Sequence, residues 1–135
     1  MESAEKNLTR ERIDSLTDAI IGAAIEVHRE LGPGLLESIY EKALVLELQS
    51  WGVACEQQVF LPVQYKGQDL PGNLRIDLLV AGVVIVEVKA VEALLPIHEA
   101  QLLSYLKLAD LRVGLLMNFH SLSLKQGLKR LVNRY

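Results

Sequence analysis

The stretch "VVIVEVKAV", residues 83–91, limits the possible folds more than any other part of the chain. Val83, Val84, Ile85, Val86, Val88 and Val91 form a near-continuous, mostly β-branched apolar run. Such a strand is covered on both faces, so it belongs inside a sheet with a layer on either side. Glu87 and Lys89 interrupt it. A charge in such a place is costly unless it is paired or bound to an ion. The sequence therefore implies a reason for placing a carboxylate and an ammonium in its most apolar segment.

Around this strand, 135 residues suit a single domain with one core. Half of the residues are hydrophobic but few are aromatic, so Leu, Val, Ile and Ala must fill that core. No apolar run approaches the roughly 20 residues that span a bilayer, which argues against a membrane. The first residues, "MESAEKNLTRERID", are polar and mixed in charge, unlike a signal peptide, and residues 1–12 read as flexible or as a helix extension. Cys55 is the only cysteine, which excludes an intramolecular disulfide and any Cys-rich zinc or iron–sulfur site. A cytoplasmic protein is the simple reading. The formal charge of -3 argues against a dedicated sequence-specific DNA-binding module, but not against an enzyme that touches a few phosphates. Lys125, Lys129, Arg130 and Arg134 recur near helical spacing, which suits a helix C-terminus and solubility, or else a phosphate-facing stripe.

Hydrophobic spacing predicts a helix through Ile13, Leu16, Ile20, Ala24, Val27 and Leu31, ended by "GPG" at 32–34. A second helix is expected from about Leu35 to Gln49, with Ile39, Ala43, Leu44 and Leu48 inward. Residues 54–66 read as a strand, with Pro62 marking an edge or bulge. "KGQDLPGN" reads as a turn, residues 74–80 and 83–91 as strands, the segment after Pro96 as a helix, 112–119 as a buried strand and 123–134 as a closing helix. The expected class is α/β: a central mixed, mostly antiparallel four-stranded sheet flanked by helices, in the order α-α-β-β-β-α-β-α.

Residues two apart on a strand share a face, so Glu87 and Lys89 point the same way. The preceding strand carries Asp77 between Ile76 and Leu78. A hairpin would bring Asp77 close to Glu87, where each carboxylate raises the other's pKa. A hard divalent cation removes that conflict, since Mg²⁺ favours a few carboxylates completed by waters. Lys89 beside the ion would orient or deprotonate a water, a layout for metal-assisted phosphodiester hydrolysis. A buried ion network that satisfies only itself is the plainer alternative, although apolar packing often replaces such networks at no loss of stability. Gln101 and Tyr105 stand at i and i+4 on one helical face with His98, which also suits an ordinary polar face. Glu37 falls in the first turn of the second helix, where a carboxylate complements the helix dipole in any case.

Together, "Gly34-x-x-Glu37-x-x-Tyr40", "Arg75-Ile76-Asp77" and "Glu87-Val88-Lys89" resemble the GxxExxY proteins, a branch of the PD-(D/E)XK nuclease superfamily. The resemblance runs from about Ile13 to Val132, and the Gln-x-x-x-Tyr helix is similar to that of RecB-like and lambda-exonuclease-like nucleases. It implies a PD-(D/E)XK nuclease-like core and a nuclease dependent on Mg²⁺ or Mn²⁺, acting on nucleic acid, DNA first. It implies Asp77, Glu87, Val88 and Glu37 as the metal set, Lys89 as the catalytic lysine, and Gln101 and Tyr105 as a supporting pair. Ile76 stands where the pattern's proline would be, and the cysteines that hold a cluster in some relatives are absent. The competing expectation is a module that keeps the fold without turnover and binds or regulates within a repair or defence assembly. A homodimer or a partner subunit suits the small size.

The register of the hairpin decides whether the site exists. With Ala81 and Gly82 as a plain two-residue loop, Asp77 pairs with Val86 and points away from Glu87. With a three-residue loop, 81–83, or with a bulge, Asp77 falls opposite Glu87. The chemistry requires the second arrangement, and Gly82 supplies the left-handed residue that such loops use.

Overall fold

A computed structural model describes residues 9–135, so the expectation for residues 1–8 lies outside the described residues. Helix α1 (Arg10–Leu31) starts at Thr9, whose side chain accepts the Arg12 N–H. It ends at Gly32, whose φ of 68° lets its N–H return to the His28 carbonyl. Helix α2 (Glu37–Ser50) follows, then strands β1 (Cys55–Tyr65), β2 (Gln68–Val80) and β3 (Val84–Lys89). Helix α3 (Pro96–Ala109) crosses over to β4 (Val113–Asn118), and a 3-10 turn (Leu124–Gly127) leads into β5 (Leu128–Val132).

The five strands lie in the order β1-β2-β3-β4-β5. β3 and β4 pair in parallel through the α3 crossover, and the other neighbours are antiparallel. All of β4 is buried, and β3 is buried up to Lys89, as expected of inner strands. One sheet face carries Leu78, Val80, Val84, Val86, Leu115 and Met117 and packs on α1 and α2. The other carries Ile76, Ile85 and Leu116 and packs on Leu102, Tyr105 and Leu106 of α3. In α2 the buried residues are Tyr40, Glu41, Leu44 and Leu48, whereas Ile39 is exposed. The Tyr40 hydroxyl donates to the Gly32 carbonyl at 2.5 Å and accepts the Leu35 N–H at 3.0 Å. Its ring stacks on Phe119 with centroids 4.6 Å apart. Tyr40 thus pins the GPG turn to the core and fixes where α2 begins.

The end of the chain departs from the expected four-stranded sheet and closing helix: residues 128–132 form a fifth strand, so the order closes in β rather than α. Leu124, Leu128 and Leu131 carry helical spacing, but Leu128 packs on the α1–α2 side and Leu131 on the α3 side, the alternation of a strand. A strand also supplies backbone partners to the outer edge of β4, which a helix cannot do. The basic residues of this segment therefore do not share a helical face. Lys129 pairs with Glu99 at 3.8 Å, Arg130 with Asp14 at 2.7 Å, and Arg134 with Asp110. "KGQDLPGN" is likewise mostly strand: Lys66 and Gly67 alone make the turn, both at positive φ. β1 is an edge strand, as Pro62 suggested, with a register shift between Leu61 and Val63.

Gly127 separates the expected helix from the observed strand by experiment. A Cβ there would meet the Ser121 hydroxyl and stand 2.5 Å from the Asn118 carbonyl oxygen. Gly127→Ala should therefore destabilise the protein by about 1–3 kcal/mol in urea unfolding. In a helix interior the same change would stabilise it by about 1 kcal/mol.

Candidate active site

The β2–β3 hairpin adopts the three-residue register. Val80 pairs with Val84, Leu79 with Ile85 and Leu78 with Val86. The loop is Ala81, Gly82 and Val83, with the Val83 N–H on the Val80 carbonyl at 3.0 Å. Gly82 takes the left-handed conformation at φ 73°, and so does Ala81 at φ 52°. The ladder ends at Leu78↔Val86, one step short of Asp77 and Glu87.

At that step the side chains replace the ladder. The Asp77 N–H donates to Glu87 Oε2 at 2.9 Å, and the Val88 N–H donates to Asp77 Oδ2 at 2.9 Å. The strands also change face here. Leu78 packs toward α1 and α2, whereas Ile76, two residues earlier, packs toward α3. In β1, Gln58 lies between the pairs Gln57↔Leu78 and Val59↔Ile76 and sits at φ 51°. This local irregularity, beside the end of β3, aims polar side chains where regular strands would bury apolar ones.

Helix α2 adds two carboxylates, one turn apart. Glu37 accepts the Ala90 N–H at 3.3 Å, and Glu41 accepts from Gln57 at 3.0 Å and Gln58 at 2.9 Å. The Gln58 amide also donates to Asp77 Oδ1 at 3.3 Å, so a single side chain ties the α2 carboxylate to the β2 carboxylate. Glu37 lies in the first turn of α2, where its charge complements the helix N-terminus, and its carboxylate reaches the residue after the end of β3.

Burial, then the Asp77 charge, pushes Glu87 up to about 8 from its ordinary 4.5. Burial also raises Asp77, against the Val88 N–H, the Gln58 amide and the Lys89 charge, which lower it. Glu41 is raised too, by burial first and Asp77 second. Lys89 thus stabilises the charged forms of both Asp77 and Glu87, but burial prevails at each. Among the described residues, no group of three or more His, Cys, Asp or Glu side chains is arranged to hold a metal ion. The oxygen donors at the hairpin are two carboxylates, with the Val88 backbone between the strand positions of Glu87 and Lys89.

Gln101 donates to the Tyr105 hydroxyl at 3.0 Å. Tyr105 is buried in the α3-side core, and among the described residues neither side chain bonds to the carboxylates. His98 accepts the Leu95 N–H at 2.9 Å, which assigns it to the start of α3. Glu41, Gln57 and Gln58 went unnoticed in the sequence. A signal existed: Glu37 and Glu41 are like charges at i and i+4, a mildly unfavourable pair that needs compensation.

The family model of the PD-(D/E)XK nuclease superfamily matches residues 14–131. The chain belongs to this superfamily. No curated protein and no solved structure matches it. Members of the PD-(D/E)XK superfamily are generally nucleases, and the mixed α/β fold seen here is consistent with theirs. Among the described residues, no helix is long and apolar enough to cross a membrane.

The carboxylates of this PD-(D/E)XK domain set the sign of its pH dependence. Glu87 binds its proton more tightly folded than unfolded, so folding takes up a proton between pH 4.5 and about 8. Its contribution to stability is full below pH 4.5 and is lost as pH rises through about 8; Asp77 and Glu41 act in the same direction. In EDTA, the melting temperature should fall across that window, and Glu87→Gln should flatten the fall. A wild-type stability that climbs from pH 5 to pH 8 would contradict this electrostatic picture.

Proposed function

We propose that the protein is a Mg²⁺- or Mn²⁺-dependent nuclease that hydrolyses phosphodiester bonds of DNA, and that it belongs with the GxxExxY, RecB-like branch of its superfamily. The observation that carries this reading is Glu87, a carboxylate pushed up to about 8 beside a second carboxylate inside an otherwise apolar strand. Perturbed carboxylates are expected where chemistry is done. The choice of DNA rests on the likeness of the Gln101 and Tyr105 helix to that of RecB-like enzymes. A cytoplasmic setting suits the lone, free Cys55.

The donor set fits a hard cation. Asp77 and Glu87, with the Val88 carbonyl, would hold it, and Mg²⁺ needs only one or two carboxylates because waters complete its octahedron; Glu37 stands on the Ala90 N–H, outside that pair. When bound, the ion supplies charge neutralisation at the phosphate and at the attacking water. The chain's own residues do the rest. The Val88 N–H and Gln58 fix the Asp77 carboxylate, and the Asp77 N–H fixes Glu87. Lys89, as an ammonium, donates to the attacking water and orients it. Water then adds to phosphorus, one P–O ester bond breaks, and the departing oxygen takes up the proton that the water gives up. Gln101 and Tyr105 support the site from α3 as a bonded pair.

A titration of Mg²⁺ and Mn²⁺ against single- and double-stranded DNA and RNA tests the assignment. Lys89→Ala should abolish cleavage while weakening nucleic-acid binding only slightly, by about one phosphate contact. Equal loss of binding and cleavage would make Lys89 an anchor. If the wild type binds nucleic acid and ions but never cleaves, the protein is a binding module on a nuclease fold.

Metal should also stabilise the fold, because the pair of carboxylates is assembled only in the native state. Ion at a hundredfold above Kd adds about 2.7 kcal/mol. Asp77→Asn should leave stability unchanged or higher without metal, since it removes a carboxylate that raises Glu87, and should abolish the metal response. Melting curves with and without Mg²⁺ or Mn²⁺ check both halves, and an unresponsive wild type would count against the site.

A further inference from the structure

The β1–β2 hairpin extends well past the strand that supports it. β2 pairs with β3 only over Leu78–Val80, whereas its pairing with β1 continues out to Tyr65↔Gln68. One face of this arm is anchored, since Leu61 and Ile76 are buried against α3. Phe60 and Arg75 each stand next to one of these anchors in sequence, are register partners, and are both exposed. The Arg75 guanidinium stands 5.9 Å from the Phe60 ring centroid, and at the tip the Lys66 ammonium stands 5.3 Å from the Tyr65 ring. Phe60 is 50% exposed and Tyr65 60%. Residues 59–76 hold Lys66 and Arg75 against Asp69, a net charge of +1 in a chain of net charge -3.

The arm begins at the carboxylates. Arg75 is two residues from Asp77, and Phe60 is two residues from Gln58, the residue bonded to Asp77. Two strand residues span about 7 Å, close to the spacing of successive phosphates on an extended strand. Cross-strand packing accounts for an aromatic–cation pair on a sheet, but it does not require such a pair to be exposed at the site's edge. An exposed ring with a cation beside it is what a base and its phosphate together would contact: the π-face stacks the base and the cation takes the phosphate.

We infer that the β1–β2 arm is the substrate rest of this protein, and that Phe60 and Arg75 hold an unpaired base and its phosphate beside the carboxylates, so that the preferred nucleic acid is single-stranded. A duplex hides its base faces in its own stack and offers Phe60 only backbone. This inference rests on the nuclease reading for its ligand class but not on turnover.

The test is equilibrium binding in EDTA, where cleavage plays no part, with fluorescein-labelled oligothymidylate as the single strand and the same strand annealed to oligoadenylate as the duplex. The wild type should prefer the single strand. Phe60→Ala and Phe60→Leu should both weaken it roughly tenfold or more and leave the duplex within about twofold, and Phe60→Trp should restore it. Arg75→Ala should lower the salt slope by about one ion. Phe60 is half exposed, so the variants should fold, and Phe60→Leu keeps the apolar bulk while removing the ring. Unchanged affinity in Phe60→Ala, equal losses for both ligands, or no wild-type binding overturns the inference. So does a Phe60→Ala change seen only as a shift of sedimenting mass from dimer to monomer, because the patch would then join two copies of this chain. Selective Phe60→Ala loss in a protein that never cleaves, even with Mg²⁺ or Mn²⁺, overturns only the nuclease reading. Cleavage indifferent to Phe60 overturns only the arm.

Discussion

Everything at the site depends on the exchange between Asp77 and the end of β3. In a regular antiparallel ladder, each backbone N–H finds a carbonyl on the neighbouring strand. Here the Asp77 N–H goes to the Glu87 carboxylate, and the Val88 N–H goes to the Asp77 carboxylate. Two acidic side chains are thereby held by backbone donors, with Gln58 as a further partner of Asp77. The sheet carries their positions. That arrangement costs stability, because burial raises both groups and the Asp77 charge raises Glu87 further. Functional sites commonly hold such conflicts, since a site optimised for stability would replace the carboxylates with apolar packing.

The helical layer is tied to the same point. Tyr40 clamps the GPG turn to Phe119, which sets the start of α2 and places Glu37 beside Ala90 and Glu41 beside Gln57 and Gln58. Gln58 then joins Glu41 to Asp77. A disturbance at the turn should thus be felt at the carboxylates through α2. Within the Gly34-x-x-Glu37-x-x-Tyr40 pattern, the tyrosine is the anchor and the glutamate is what it aims. The glycine works at φ 105°, where a side chain would be strained.

Most of the fold was legible because its signals are local. Apolar periodicity marked α1 and α2, Pro96 marked the start of α3, and apolar runs marked β3 and β4. The hairpin register was legible for a different reason: only an odd-length loop or a bulge brings Asp77 and Glu87 together, and a three-residue loop is what forms. The closing segment misled because Leu124, Leu128 and Leu131 satisfy a helical stripe as well as a strand that packs on both faces. Glu41 and Gln58 stayed hidden because their partners are distant in sequence: Glu41 bonds to residues 16 and 17 positions away, and Gln58 to one 19 away.

By itself, the sequence determined the layered α/β class, the central strand, and the charged groups that this strand has to accommodate, because burying a charge in an apolar strand is too costly to be incidental. Only the tertiary structure decided that β4 acquires a fifth strand along its outer edge, since that edge's backbone groups need partners that no local pattern names. Only the structure decided that β1 and β2 change face at Gln58 and Asp77, and that α2 contributes a second buried carboxylate there. Those outcomes depend on which surfaces meet once the chain has closed on itself, and short-range periodicity carries no record of that.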